Sequence, residues 1–360
     1  MKHTEPNGLP TKTAGNHFFP DPLFVVGPCS AETEEQVLQT ASLLKPEHVS
    51  YFRAGIWKPR TSPESFQGVG KVGLRWLQLV KELYGFKVTT EVANGRHVEE
   101  ALKAGLDMLW IGARSTVNPF TVQEIADALK GVNIPVMVKN PINPDLGLWV
   151  GAIKRLRKAG IQHIAGCHRG FNIYNQKTVL RNTPLWEIPL EFKRLHPEIP
   201  LICDPSHISG AREYIFRIAQ KSLDLGFQGL LIETHPTPDT AWSDAKQQVT
   251  PTRLAELMNS FVFRKTHSDS FEYKLRLRNL RETIDGIDDR LLELLADRME
   301  VAKKIGELKN ERNVAFFQHN RWSDVIERCK HIANQLTLDE QFVLKLFSLI
   351  HLESLDIQGE

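Results

Sequence analysis

Between Leu23 and Val262 the sequence repeats one pattern eight times, a short apolar run followed by an amphipathic stretch. The runs are LFVVGPCS (23–30), VSYFRAG (49–55), FKVTTEVA (86–93), MLWIGAR (108–114), PVMVKN (135–140), HIAGCHR (163–169), LICDPSH (201–207) and LLIETHP (230–236). Each is rich in β-branched or other apolar residues and ends in Gly, Pro or polar chemistry. That is the signature of buried parallel strands, covered on both faces. The stretches between them, such as ETEEQVLQTASLL and PFTVQEIADALKG, read as helices. Eight strands alternating with helices predict an α/β fold of the closed (β/α)8, or TIM, barrel type; a doubly wound open sheet is the structural alternative.

The pattern then stops. FRKTHSDSFE (263–272) is polar and reads as a linker. A long helix follows, roughly Tyr273 to Asn310, with Leu277, Leu280, Ile284, Ile287, Leu291, Leu294, Ile305 and Leu308 at helical spacing. Two shorter helices are expected near Gln318–Gln335 and Leu338–Ile357. The domains are therefore a barrel over 1–262, a linker over 263–272 and a small all-α three-helix domain over 273–360. The first helix of that domain is too long to be covered by two short neighbours, so a homodimer through this domain is expected.

Bulk charge narrows the function. The balance of 45 Lys and Arg against 43 Asp and Glu leaves +2, which gives no general attraction to nucleic acid or to an anionic membrane. Cys29, Cys167, Cys203 and Cys329 form no CxxC pair, which suits a reducing compartment. The opening MKHTEPNGLP has no apolar signal region, and no apolar run approaches the ~18 residues of a membrane span, so a cytoplasmic location is expected.

Barrel enzymes carry their active sites at the C-terminal ends of the strands. Here the first strand runs into Cys29, the seventh into His207 and the eighth into Glu233, with Asp244 in the loop that follows. Strand eight of a closed barrel neighbours both strand seven and strand one, so these four side chains converge. Together they form a mixed soft and hard ligand set for a divalent transition metal. The opposite arc is cationic, with Arg53, Lys58, Arg60, Arg114, Lys139 and Arg169 at or just beyond strand ends. Clustered cations need anions, and forked Arg donors suit phosphate and carboxylate. Two phosphorylated substrates beside a metal are expected. Glu91 is the isolated carboxylate of the group, placed either to position a water or to pair with Lys139.

The segments GPCSAE, FRAGIWKPRTSPESFQG, TEVA, IGARS, VKNP, CHRG, ICDPSH and LIETHPTPDTAWSDAKQQ resemble the 3-deoxy-D-arabino-heptulosonate-7-phosphate (DAHP) synthase family, short type I form. The resemblance covers about residues 18–258. It implies condensation of phosphoenolpyruvate with erythrose 4-phosphate, with Cys29, His207, Glu233 and Asp244 as metal ligands. Mn2+ is the first choice of metal, and Fe2+, Co2+ or Zn2+ are the others. It also implies that Arg53 and Lys139 hold the phosphoenolpyruvate carboxylate and that Arg114 and Arg169 hold its phosphate. Lys58, Arg60, Thr61 and Ser115 would face erythrose phosphate, and Lys58, Lys139 and Glu91 are the catalytic candidates. The alternative within the class is a 3-deoxy-octulosonate-8-phosphate synthase, which the KPRTS stretch disfavours.

The tail LRNLRETIDGIDDRLLELLADRMEVAKKIGELK resembles the all-helical chorismate mutase class, from about 275 to 358. The resemblance implies conversion of chorismate to prephenate, with Arg281, Arg298, Arg321 and Ser354 binding substrate and Lys309 and Gln358 at the ether oxygen. That rearrangement needs orientation and charge stabilisation rather than covalent catalysis. Arg281 and Lys309 are 28 residues apart on one helix, about 42 Å. Both reach one substrate only if Arg281 comes from an antiparallel partner chain. Two positions depart from the class: Trp322 replaces a carboxylate that would bind a substrate hydroxyl, and Gln318 replaces Asp. A non-catalytic module for dimerisation or effector sensing is the alternative. With about 22 residues before the first strand, the tail is the expected effector site, and prephenate or chorismate bound there is expected to inhibit the barrel by docking the tail against it.

Overall fold

The computed structural model describes residues 19–60, 62–174, 178–265 and 267–359. The chain forms two compact units that divide at His267. In the first, strands β1 (Leu23–Gly27), β2 (Tyr51–Arg53), β3 (Val88–Val92), β4 (Met108–Ile111), β5 (Val136–Lys139), β6 (Ile164–His168), β7 (Leu201–Cys203) and β8 (Gly229–Glu233) close into a barrel in sequence order. Every pairing is parallel, including β1 with β8.

A helix follows each strand: α1 (Glu34–Ser42), α2 (Val72–Tyr84), α3 (Gly95–Lys103), α4 (Pro119–Ala128), α5 (Leu146–Lys158), α6 (Glu187–Leu195), α7 (Ile215–Asp224) and α8 (Pro251–Ser260). Local chemistry sets where several begin. The side chains of Thr33, Asn94, Asn118, Asp145 and Thr250 accept first-turn N–H groups, and Pro119 and Pro251 open their helices.

Strand residues alternate between two cores. Phe24, Val26, Phe52, Val88, Leu109, Ile111, Val136 and Val138 pack outward with the helices. Leu23, Val25, Tyr51, Met108, Trp110, Met137, Ala165, Cys167, Ile202 and Leu231 fill the barrel interior. Both sets are apolar, which is why the strands read as continuous hydrophobic runs. Gly27 (φ 146°) closes β1: a Cβ there would lie 2.1 Å from the Arg53 carbonyl oxygen.

The second unit is three helices, α9 (Phe271–Glu311), α10 (His319–Gln335) and α11 (Glu340–Gly359). Ser270 caps α9 by accepting the Tyr273 N–H. Leu280, Ile284, Leu291, Leu294, Val301 and Leu308 of α9 are exposed. No helix among the described residues is long and apolar enough to cross a membrane.

Candidate active sites

The inward parity of the barrel strands continues past the apolar layers and turns polar at their C-terminal ends. One step of two residues leads from Tyr51 to Arg53, from Met137 to Lys139, from Ile202 to Asp204 and from Leu231 to Glu233. Two such steps lead from Val25 through Gly27 to Cys29. The barrel interior is thus capped by charge on the face where barrel enzymes keep their chemistry. Glycines make room for two of these groups: a Cβ on Gly55 would meet Lys58 Nζ at 2.6 Å, and one on Gly112 would meet Glu91 Oε1 at 1.9 Å.

Ligand atoms of Cys29, Glu233 and Asp244 all lie within 4.8 Å of one another. Cys29 Sγ is 3.2 Å from Asp244 Oδ2, and Lys58 Nζ is 3.2 Å from the same sulfur. His207, in the short helix Pro205–Ser209, stands beside this set rather than in it. Its Nδ1 is 3.7 Å from Glu233 Oε1 and 2.8 Å from Asp204 Oδ2. Arg53 Nη1 is 3.0 Å from Glu233 Oε1, yet this ion pair lacks hydrogen-bond alignment. Buried Glu233 Oε1 and His207 Nδ1 are therefore both left without an aligned hydrogen bond.

Burial first, and Glu233 next, push the Cys29 thiol up to about 12. A thiolate there requires more positive charge than the protein provides. A divalent cation would bring it, and the orphaned carboxylate oxygen and the mixed S, O donor set fit one.

The cations expected on the opposite arc in part border the ligand set itself, since Arg53, Lys58 and Arg60 each lie within 3.7 Å of one of its members. Burial lowers the Arg169 guanidinium and Asp204 raises it, but repulsion from Arg181 and Arg114 helps bring it to about 10. Arg53 is buried, its guanidinium 4.9 Å from the centroid of the Trp110 ring, and its Nε carries no hydrogen bond. Unspent buried donors and crowded cations are complementary to anions. Arg114 is exposed and Ser115 buried in the short helix Ala113–Thr116. Arg60 Nη1 is 3.7 Å from Asp244 Oδ2. Thr61 lies outside the described residues.

Within the helical unit, α9 and α11 assemble a second polar cluster. Arg298 donates to Ser354 Oγ, and Lys309 Nζ is 3.0 Å from Gln358 Oε1 and 2.6 Å from the Phe316 carbonyl. Gly306 permits this closeness, since a Cβ there would come within 2.7 Å of the Gln358 backbone. Arg321 lies in the first turn of α10 and is exposed. Arg281 is exposed on α9, too far along the helix to join Lys309 within one chain.

Residues 17–266 match the DAHP synthetase I family. The chain belongs to that family. Residues 280–359 match chorismate mutase type II, so the chain joins two enzyme domains. A phospho-2-dehydro-3-deoxyheptonate aldolase of Thermotoga maritima is 32% identical over 65% of this chain and 66% of its own length. The chain thus spans just under two thirds of that relative. The crystal structure of the Thermotoga enzyme aligns with a TM-score of 0.58 at 29% identity, again over 65% of this chain and 66% of that one. A 2-dehydro-3-deoxyphosphooctonate aldolase of Thioalkalivibrio sulfidiphilus is also 32% identical, over 62% of this chain and 82% of its own.

The DAHP synthetase I barrel contains functional groups that the motif reading passed over. Asp204 is the chief one. It is fully buried, accepts from Lys139 Nζ at 2.7 Å and faces His207 at 2.8 Å. Burial alone would raise its carboxyl; His207 and Lys139 together hold it well below the carboxylate range. Lys139 is therefore paired with Asp204 rather than with Glu91, and Glu91 instead accepts from Trp110 Nε1 at 3.2 Å. Glu91 also points inward, but it stands in register with Trp110, which takes its carboxylate, while Asp204, directly after β7, is the carboxylate within reach of Lys139 at the end of β5. Gln247 and Arg181 were also missed. Gln247 donates to Glu233 Oε2 at 2.6 Å, and Arg181 donates to Asp244 Oδ1 at 2.9 Å. Strand parity finds Asp204 in the sequence; nothing in the sequence finds the two loop residues.

Proposed function

We propose that the barrel condenses phosphoenolpyruvate with erythrose 4-phosphate and water to give DAHP and phosphate, and that the helical unit rearranges chorismate to prephenate. The observation that carries the first reading is the meeting of a Cys29–Glu233–Asp244 ligand set with the buried cations Arg53, Lys139 and Arg169 at one end of one barrel. Its relatives of the aldolase names above support the same substrate class.

Arg53 and Lys139 orient the phosphoenolpyruvate carboxylate, and Arg169 with Arg114 the phosphate. Lys58, Arg60, Thr61 and Ser115 take erythrose phosphate. A divalent metal, Mn2+ first, held by Cys29, Glu233, Asp244 and His207 supplies Lewis acidity when bound. The alkene carbon of phosphoenolpyruvate attacks the aldehyde, and Lys58 Nζ offers a proton to the oxygen as it becomes a hydroxyl. Glu91, one oxygen held by Trp110, directs water to the second carbon, and phosphate leaves. A reducing cytoplasm keeps Cys29 available as a ligand.

In the mutase pocket Arg298, Arg321 and a partner chain's Arg281 take the two carboxylates, while Lys309 and Gln358 stabilise charge on the breaking ether bond. The exposed apolar stripe of α9 supports the homodimer that this requires. Prephenate or chorismate in this pocket inhibits the synthase, a coupling that must be reciprocal.

The similarity to 2-dehydro-3-deoxyphosphooctonate aldolases favours one competing reading, in which arabinose 5-phosphate is the acceptor. An assay of purified protein with phosphoenolpyruvate and each sugar phosphate, and separately with chorismate, tests all of this. Preferential use of arabinose 5-phosphate rejects the DAHP reading, and no prephenate from chorismate rejects the mutase reading.

A further inference from the structure

The mutase pocket has a wall that the groups named so far leave unused. His351 lies on α11 one turn before Ser354 and two turns before Gln358, so the three share a helix face. That face meets Arg298 and Lys309. The His351 ring lies parallel to Trp322 of α10, with centroids 4.1 Å apart and planes within 6°. Phe317 stands at its other side, 6.1 Å between centroids. This packing locks the orientation of the imidazole.

Its Nε2 is buried and has no hydrogen-bond partner. A buried polar atom left unsatisfied is costly, and a functional contact is one reason such an atom is kept. Burial, then Arg298, then Lys309, lower the His351 pKa, so the ring is neutral and both cations are close enough to act on it.

Chorismate carries two carboxylates, an ether oxygen and one ring hydroxyl. The arginines and the Lys309–Gln358 pair answer the first three groups. A neutral imidazole, able to donate to or accept from a hydroxyl, answers the fourth. On the mutase reading above, we infer that His351, clamped by Trp322, binds the ring hydroxyl of chorismate through Nε2 and so determines the pocket's specificity for the hydroxylated substrate.

The test compares chorismate with the analogue carrying hydrogen in place of the ring hydroxyl, for the unmutated full chain, His351→Phe and His351→Gln. The unmutated chain should favour chorismate in kcat/KM by about tenfold or more, as sites built around a substrate hydroxyl do. His351→Phe should lose most of that preference, chiefly through a higher KM for chorismate, with little change for the analogue. His351→Gln keeps a polar end and should retain part of it. A purely structural role for His351 would slow both substrates alike. An unchanged preference in both variants overturns the inference while leaving the mutase reading intact. An unmutated chain that forms no prephenate removes that reading and this inference with it.

Discussion

Cys29 Sγ lies 3.2 Å from Asp244 Oδ2, although 215 residues separate them in sequence. Barrel closure between β1 and β8 brings the two loops together, and Glu233, the last residue of β8, completes the set. Cys29→Ser should lower metal affinity at least about tenfold, since even groups outside the ligand shell cost that much. Metal content after gel filtration measures it directly. Retention of full metal and full synthase rate by this variant would refute Cys29 as a ligand. Chelation should abolish condensation and spare prephenate formation.

Asp204 is the counter-ion of Lys139 and lies 2.8 Å from His207 Nδ1. Replacing it by Asn leaves the buried Lys139 ammonium without its charge partner. Loss of one member of such a pair costs about 3–5 kcal/mol. Denaturant unfolding of the Asp204→Asn protein should show a loss of that order together with loss of synthase activity. A change below about 1 kcal/mol would mean that other groups or water solvate Lys139.

Gly306 lets α9 approach α11 closely enough for Lys309 to reach Gln358. Gly306→Ala removes an intrinsic helix penalty of roughly 1 kcal/mol on α9 yet must push the Gln358 backbone away. The expected result is a mutase kcat lowered by about tenfold with unchanged condensation. An equally active mutase would show that the Lys309–Gln358 contact is not needed.

Arg281 and Lys309 stand on one helix about 42 Å apart. Mixing an inactive Arg281→Ala chain with an inactive Lys309→Ala chain should restore part of the mutase activity, because the mixed dimer holds one intact site. Demonstrated subunit exchange with no recovery would argue against a site shared between chains.

His168, buried among Phe171, Trp186 and Phe227, titrates at about 3, lowered mainly by burial and then by Arg169. Its ordinary value is 6.5. Between these values the unfolded chain binds a proton that the folded chain refuses, so its contribution is full above pH 6.5 and is lost as pH falls toward 3. His168→Phe should therefore lose less stability than the unmutated protein between pH 7 and pH 5. Parallel pH profiles in urea melts would exclude His168 as the source.

The order of strands and the three tail helices were legible in the sequence, because each rests on local periodicity. Parity of two predicts which strand residues point inward, and it carries directly to Arg53, Lys139 and Glu233. The convergence of Cys29, Glu233 and Asp244 was legible too, once a closed barrel made strands one and eight neighbours.

Pairing was not legible. The choice of Asp204 over Glu91 by Lys139 depends on the stagger between β5 and β7, and the grip of Gln247 and Arg181 on Glu233 and Asp244 depends on how long loops fold over the barrel mouth. Likewise Trp322 read as the loss of a carboxylate, and only packing between α10 and α11 placed it against His351. Periodicity is a property of neighbours in the chain and survives in the sequence. Partner choice is decided by distances of a few ångströms between segments far apart in the chain, and those exist only once the chain has folded.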